Sequence, residues 1–298
     1  MNLQRLDLTS LSLYTLVVRT GSISQGAALA NLAIGAASRR ITDLEAAVGV
    51  TLLERHSRGV RPTAAGQVLF ERARSVLQEV EHLSAELSDY ASGMVGVVRL
   101  WTNTSALTQF LPAELSAFQA GNPGIRIELE EQNSVDVVMA VLDGRADLGI
   151  FADRTAAHGL ALMNYRRDRL VLVVPNGHPL QRRKSVSFRE VVDEDFVCLS
   201  SATSLSRRLH EETELLGRRL RVRIQVRSFD AMCQMVAAGL GVAVLPADAV
   251  RALVRSLNLR QIALTDAWAR RQLLIGVRDL ETLPRHARLL VDHLAAGG

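Results

Sequence analysis

The stretch Gly21–Gly66, GSISQGAALANLAIGAASRRITDLEAAVGVTLLERHSRGVRPTAAG, decides how the chain is read. It runs as two short helices, a tight turn, a basic hairpin and the start of a long helix. That is the order by which proteins seat one helix in a DNA major groove. Ser22 is placed to cap a small-residue helix over 24–30. After Asn31-Leu32 a second helix begins, and Ala37, Ile41, Leu44 and Val48 recur at helical spacing as one apolar stripe. At about 100° per residue, Gly35, Arg39, Thr42 and Asp43 face away from that stripe, with Ser38 and Arg40 on its flanks. Arg39 and Arg40 are candidates for guanine edges or phosphates. The competing reading is a small helical bundle with an ordinary polar face.

The residues that follow favour DNA. Leu52–Pro62 carries three arginines around a Ser-Arg-Gly turn, a wing in which Arg55, Arg58 and Arg61 are candidate phosphate or minor-groove contacts. The basic charge is local. Residues 1–62 hold seven Arg against four Asp and Glu, whereas residues 63–91 hold two against five.

Gly21-Ser22-Ile23, Ala27-Ala28, Ala36–Ile41, Leu44-Glu45, Gly49-Val50, Leu52–Arg55, Arg58-Gly59-Val60 and Thr63–Gly66 form an ordered chain of spaced motifs. In this the segment from about Leu6 to Gly66 resembles the DNA-binding domain of LysR-type transcriptional regulators. The family's polar Ser-Gln pair at the start of the recognition helix is replaced here by Ala33-Ile34-Gly35. That substitution moves base reading towards Ser38, Arg39 and Thr42.

Thr63 is placed to cap a long helix. Leu69, Ala73, Val76, Val80, Leu83, Leu87 and Tyr90 recur at spacings of four and three, a seam that asks for a partner helix. A homodimer would set two recognition helices roughly one DNA turn apart, so double-stranded DNA with an inverted repeat is the expected target. The resemblance implies the same use of the linker helix, with tetramers as pairs of dimers and RNA polymerase as a candidate partner.

Length and composition agree with a multidomain regulator. The chain has 298 residues, 48% of them hydrophobic, enough for more than one core. No apolar run reaches the ~18 residues of a membrane span, and no signal pattern opens the chain. Two cysteines make no disulfide framework, so a cytoplasmic protein is expected. Lys184 is the single lysine, so arginine richness is general and carries no functional argument by itself.

Past the glycines at 93 and 96 the pattern alternates strands with helices. Strands are predicted at 97–101, 125–130, 146–151, 170–175, 196–199, 222–226, 242–246 and 273–277, and helices at 106–120 and 135–142. This alternation predicts a mostly parallel, doubly wound α/β structure. Gly144–Ile150, Leu170–Pro175 with Gly177–Leu180, and Val236–Pro246 resemble the effector domain of the same family. The resemblance implies a type 2 periplasmic-binding-protein-like fold of two lobes, about 95–165 plus 270–298 and about 167–268. The expected domains are thus a winged helix-turn-helix domain (1–62, otherwise all-α), a dimerising linker helix (63–91) and an effector-binding domain (92–298).

Ligands in such sheets sit beyond the carboxyl ends of the strands. Three hydroxyl- and amide-rich helix starts converge there: Thr102-Asn103-Thr104-Ser105, Asn133 with Ser134, and the segment containing Ser200, Ser201 and Thr203. Their free backbone N–H groups suit a carboxylate, although plain helix capping accounts for the same residues. Phe151, Phe229 and Pro246 are candidate apolar walls. The expected effector is a small organic anion, and no cofactor is expected.

Other chemistry has little support. Seven scattered histidines show no metal-ligand spacing, and phosphate-loop, dinucleotide and nucleophile-elbow motifs are missing. An enzyme is therefore not expected. Cys198 and Cys233 lie in apolar segments and read as core thiols, with a peroxide-sensing pair as the sharper alternative. A solute-binding protein without regulatory role is the other alternative, and residues 1–90 argue against it.

Overall fold

Asp7 fixes the first element. Its carboxylate accepts the Ser10 N–H (2.8 Å) and so caps α1, Leu8–Thr20. A computed structural model of the chain describes residues 6–56, 59–92 and 96–296; in the long helix α4 the side chains of 78, 81–82 and 84–92 are not described. Arg58, Gly93 and the side chains of Leu87 and Tyr90 therefore lie outside the described residues. Contacts divide the chain into two units, 1–92 and 93–298.

In the first unit α1 precedes α2 (Ile23–Leu29), capped by Ser22, and α3 (Ile34–Val48). The hairpin β1 (Leu53–His56) and β2 (Gly59–Pro62) pairs antiparallel, and α4 runs Ala64–Ser92. Leu13, Tyr14, Val17, Ala27, Ala37, Ile41, Leu44, Leu52 and Val60 form one buried cluster. The junction of wing and α4 is tight. A side chain on Gly66 would collide with the Leu52 carbonyl and the Tyr14 hydroxyl, so only glycine fits there. Tyr14 Oη donates to that same carbonyl (3.3 Å), and burial, with the Glu45 carboxylate nearby, pushes its phenol up to about 12.

The second unit is a mixed sheet system. β3 (Gly96–Thr102) is flanked in parallel by β4 (Ile125–Glu131) and β5 (Leu148–Ala152). The helices α5 (Thr104–Gln109), α6 (Leu111–Gly121), α7 (Ser134–Leu142) and α12 (Arg285–Ala295) accompany this half. One apolar cluster draws on residues between 98 and 165 and between 273 and 294; a second lies wholly within 170–269. The second half contains β7 (Ser185–Val186), β8 (Asp195–Leu199), α9 (Ser204–Leu215), β9 (Arg221–Val226), α10 (Phe229–Ala237), β10 (Ala243–Pro246) and β11 (Arg260–Leu264), with short helices α8 (Phe188–Val191) and α11 (Arg251–Ser256).

Two long strands join the halves. β6 (Ala161–Val174) pairs antiparallel with β12 (Arg270–Val277) along its first part and with β10 and β11 along its last. The sheet is therefore not mostly parallel. Among the described residues, parallel strand pairs are β3 with its neighbours, β8 with β9 and β7 with β11, with one further parallel bridge between Phe196 and Val242. β6 is also longer than the predicted 170–175, because its first nine residues alternate exposed with half-buried or buried positions and only the last five form a continuous buried apolar run. The single helix expected over 106–120 is two. Pro112 near the start of α6 has no N–H to continue the ladder, and the break falls at Phe110.

Candidate functional site

On α3 the stripe Ala37, Ile41, Leu44 and Ala47 is buried, which turns Gly35, Arg39 and Thr42 outwards and leaves Ser38 half-buried. Among the described residues no ion pair engages Arg39, whereas Arg40 Nη1 donates to Asp7 (3.0 Å) and to Ser10 Oγ (3.0 Å). Burial pushes the Asp7 carboxyl up, but the Ser10 N–H and hydroxyl and the Arg40 guanidinium together hold it below the usual range. Ala33 offers α3 no side-chain cap, so its leading N–H groups stay open to an anion. Arg55 and Arg61 are exposed on the wing, on β1 and β2. Glu45 was not among the expected site residues, yet it ties α3 to the wing. Its Oε1 accepts the N–H groups of Leu52 (2.8 Å) and Leu53 (3.1 Å).

In the second unit a cavity of about 500 Å³ opens where β3, β4, β8 and β9 end. Each wall is a helix start that the sequence caps for itself. Asn103 Oδ1 accepts the Ala106 N–H (2.9 Å) at the head of α5, and Asn133 Oδ1 accepts those of Val135 and Asp136 (3.1 Å each) at the head of α7. Thr203 Oγ1 accepts the Ser206 N–H (3.2 Å) at the head of α9. Ser134 Oγ is a hub: it accepts from Asn103 Nδ2 (3.3 Å) and the Ala152 N–H (3.3 Å) and donates to Ser204 Oγ (3.4 Å). That last bond spans from α7 to α9 across the cavity.

Asn103, Thr104, Ser105, Asn133, Ser200, Thr203 and Phe229 all line this space. Thr102, Ser201, Phe151 and Pro246 do not. Thr102 is fully buried in its strand, and Ser201 is exposed in the turn beyond the cavity. Phe151 packs beneath α7 against Val137 and Val138, and Pro246 is buried at the end of β10 opposite Leu170. Three lining residues with chemistry were not expected: Glu131, Gln132 and Arg227. Glu131 and Arg227 carry the charges, and the Thr104 hydroxyl donates to Glu131. They close β4 and follow β9, so the strand-end rule applied to those strands reaches both.

Among the described residues no group of three or more His, Cys, Asp or Glu is placed to hold a metal. Cys198 and Cys233 are buried free thiols. Burial pushes both up to about 11, and Asp230 adds to the effect on Cys233. No helix among the described residues is long and apolar enough to cross a membrane.

Residues 8–67 match the family described as bacterial regulatory helix-turn-helix protein, lysR family, and residues 91–298 match the LysR substrate binding domain. The chain belongs to the LysR family. It is a DNA-binding transcription regulator with a C-terminal effector-binding domain. The LysR-type regulator BenM of Acinetobacter baylyi is 27% identical over 280 residues, 93% of this chain and 91% of BenM. Full-length BenM superposes with a TM-score of 0.60 at 26% identity, covering 97% of this chain and 95% of that one. LrrA of Synechococcus elongatus, a probable HTH-type transcriptional regulator, is 27% identical over 242 residues, 81% of either chain. Full-length CbnR, solved with its target DNA, has a TM-score of 0.68 at 20% identity, covers 98% of this chain and is itself covered completely, and this likeness supports the fold alone.

Proposed function

We propose that this LysR-family regulator binds an inverted repeat as a dimer and is switched by a small organic acid held in the cavity at the heads of α7 and α9. The observation that carries the effector reading is the cavity itself. It gathers polar helix starts, one cation (Arg227) and one carboxylate (Glu131) from both halves of the effector domain. The ligand's carboxylate would meet Arg227 and those leading N–H groups of α7 and α9 that the Asn133 and Thr203 caps do not take. Glu131 calls for a donor on the same molecule, so a hydroxy- or amino-acid fits better than a plain carboxylate.

The functional divisions are 1–62 for DNA, 63–91 for pairing and 92–298 for the effector. Val76, Val80 and Leu83 support the pairing role: each is exposed on α4 although the seam is apolar. The protein works in the cytoplasm on double-stranded DNA, with RNA polymerase as its further partner and tetramers as paired dimers. On α3, Ser38, Arg39 and Thr42 read bases, with Gly35 admitting close approach. Arg55, Arg58 and Arg61 hold phosphates, and Arg40 serves while paired to Asp7.

Switching follows from the bond between Ser134 and Ser204. A ligand that engages both helix starts favours one spacing of the halves over another. Moving the population from 1:99 to 99:1 takes about 5.5 kcal/mol of preference. The test is calorimetric titration of the full-length protein with hydroxy- and amino-acids, alongside Thr104→Val and Arg227→Gln. A saturable ligand weakened about tenfold or more by Arg227→Gln is expected. The reading fails if only neutral apolar compounds bind, or if both variants bind unchanged.

A further inference from the structure

A second cavity, of about 450 Å³, lies on the other side of the α9 start and shares Ser204 with the first. Its chemistry differs. Arg154 comes from the turn after β5, Arg207 and Arg208 from α9, and Arg270 and Arg271 from β12; Asp153 and Glu211 are the only acidic residues in its lining. Arg271 is satisfied by Asp168 and Arg208 by Glu212 (3.0 Å). Among the described residues no ion pair engages Arg154, Arg207 or Arg270, all three of them exposed.

Two further observations set this space apart from an ordinary basic surface. Arg208 is 12% exposed, yet its Nη1 lies 3.7 Å from Glu211 and has no hydrogen-bond partner. A buried guanidinium N–H without an acceptor is costly, and a ligand oxygen would relieve it. Arg154 has φ 53, a left-handed conformation that an arginine adopts at a cost and that persists only where its surroundings hold it. Three arginines that no ion pair engages among the described residues, Arg154, Arg207 and Arg270, face one concave space, and a multivalent anion converts their mutual repulsion into binding.

We propose that this cavity is a second ligand site, taking a small anion of charge two or more through carboxylate or phosphate oxygens. Arg154 and Arg207 clamp it from opposite halves of the effector domain, Arg208 supplies its free N–H, and Trp268 provides a flat wall. Because Ser204 lines both cavities and Arg271 Nη2 also donates to Ser105 Oγ (3.2 Å), occupancy here is linked to occupancy of the first cavity. By linkage each ligand changes the other's affinity by the same factor.

The test titrates full-length protein with tricarballylate and, separately, pyrophosphate, at constant ionic strength, by calorimetry and tryptophan emission. Saturable binding of one anion per chain is expected, with an emission change lost in Trp268→Phe. The combined Arg154→Gln and Arg207→Gln variant should bind about tenfold or more weakly. Its thermal unfolding without ligand should match the parent, since both side chains are exposed. Thr104→Val should leave this binding intact. Preference for tricarballylate assigns a carboxylate ligand; preference for pyrophosphate assigns a phosphate-bearing one. The proposal is overturned if neither anion saturates, if the arginine variant binds as the parent does, or if Thr104→Val abolishes binding. That last outcome would place the anion in the first cavity and leave the proposed function standing.

Discussion

Arg271 and Asp168 face each other on the two strands that join the halves of the effector domain. Arg271 Nε donates to Asp168 Oδ1 at 2.8 Å, and both side chains are almost wholly buried. Gln109 Nε2 also donates to Asp168 (3.2 Å), so one carboxylate ties β6, β12 and α5 together. Removing one charge strands the other. Asp168→Leu should destabilise the effector domain by about 3–5 kcal/mol, whereas Asp168→Leu with Arg271→Met should recover much of that loss. Urea unfolding of the full-length variants decides it; equal losses in the single and double variants would show that the pair is not the cause.

Glu45 is the equivalent tie in the DNA-binding unit. Glu45→Ala leaves the Leu52 and Leu53 N–H groups without their acceptor and should cost about 2–4 kcal/mol. It should also weaken DNA binding without touching DNA, by loosening the wing. Thermal unfolding and DNA affinity should fall together, and a loss of affinity at unchanged stability would contradict this account.

Arg39 and Arg61 should separate base reading from phosphate binding. Arg39→Ala should cost about 1–3 kcal/mol on a specific site and little on random DNA. Arg61→Ala should weaken both and reduce the salt slope by about 1. Binding measured against salt on the two DNAs separates them. Equal losses for Arg39→Ala would remove it as a base reader.

The α4 seam predicts an assembly defect. Val80→Glu places a charge within the apolar row of Val76 and Leu83 and should shift the protein from dimer to monomer in sedimentation. A variant that stays dimeric would move the interface elsewhere.

Cys198 and Cys233 should resist oxidants and alkylation in the native state. Their thiols ordinarily titrate at 9.0 and are raised to about 11 by burial. The unfolded chain therefore loses these protons first, so their contribution to stability is complete below pH 9.0 and is lost as pH rises through about 11. Iodoacetamide labelling at pH 8 should be slow without urea and fast with it. Rapid native labelling, or an oxidant-dependent change in DNA binding, would revive a sensing role.

Much of the candidate site was legible along the chain because its signals are local. A helix declares itself through a stripe such as Ala37, Ile41 and Leu44, and a helix start through residues such as Asn103, Asn133 and Thr203. Each needs neighbours only three or four positions away. The strand-end rule then brought Asn103, Asn133 and Thr203 to one cavity, although nothing local links them.

What the tertiary structure alone decided depends on contacts between residues far apart in sequence. Arg271 meets Asp168 across 103 positions and Ser134 meets Ser204 across 70, and neither pair leaves a periodic trace. The same holds for the half-polar first part of β6, recruited as a strand by its pairing with β12, and for Phe151, whose apolarity was plain but whose burial beneath α7 was not. Local sequence sets which elements form, because backbone conformation answers to near neighbours. Which side chains face a cavity, and which charges neutralise one another, is fixed only when those elements pack.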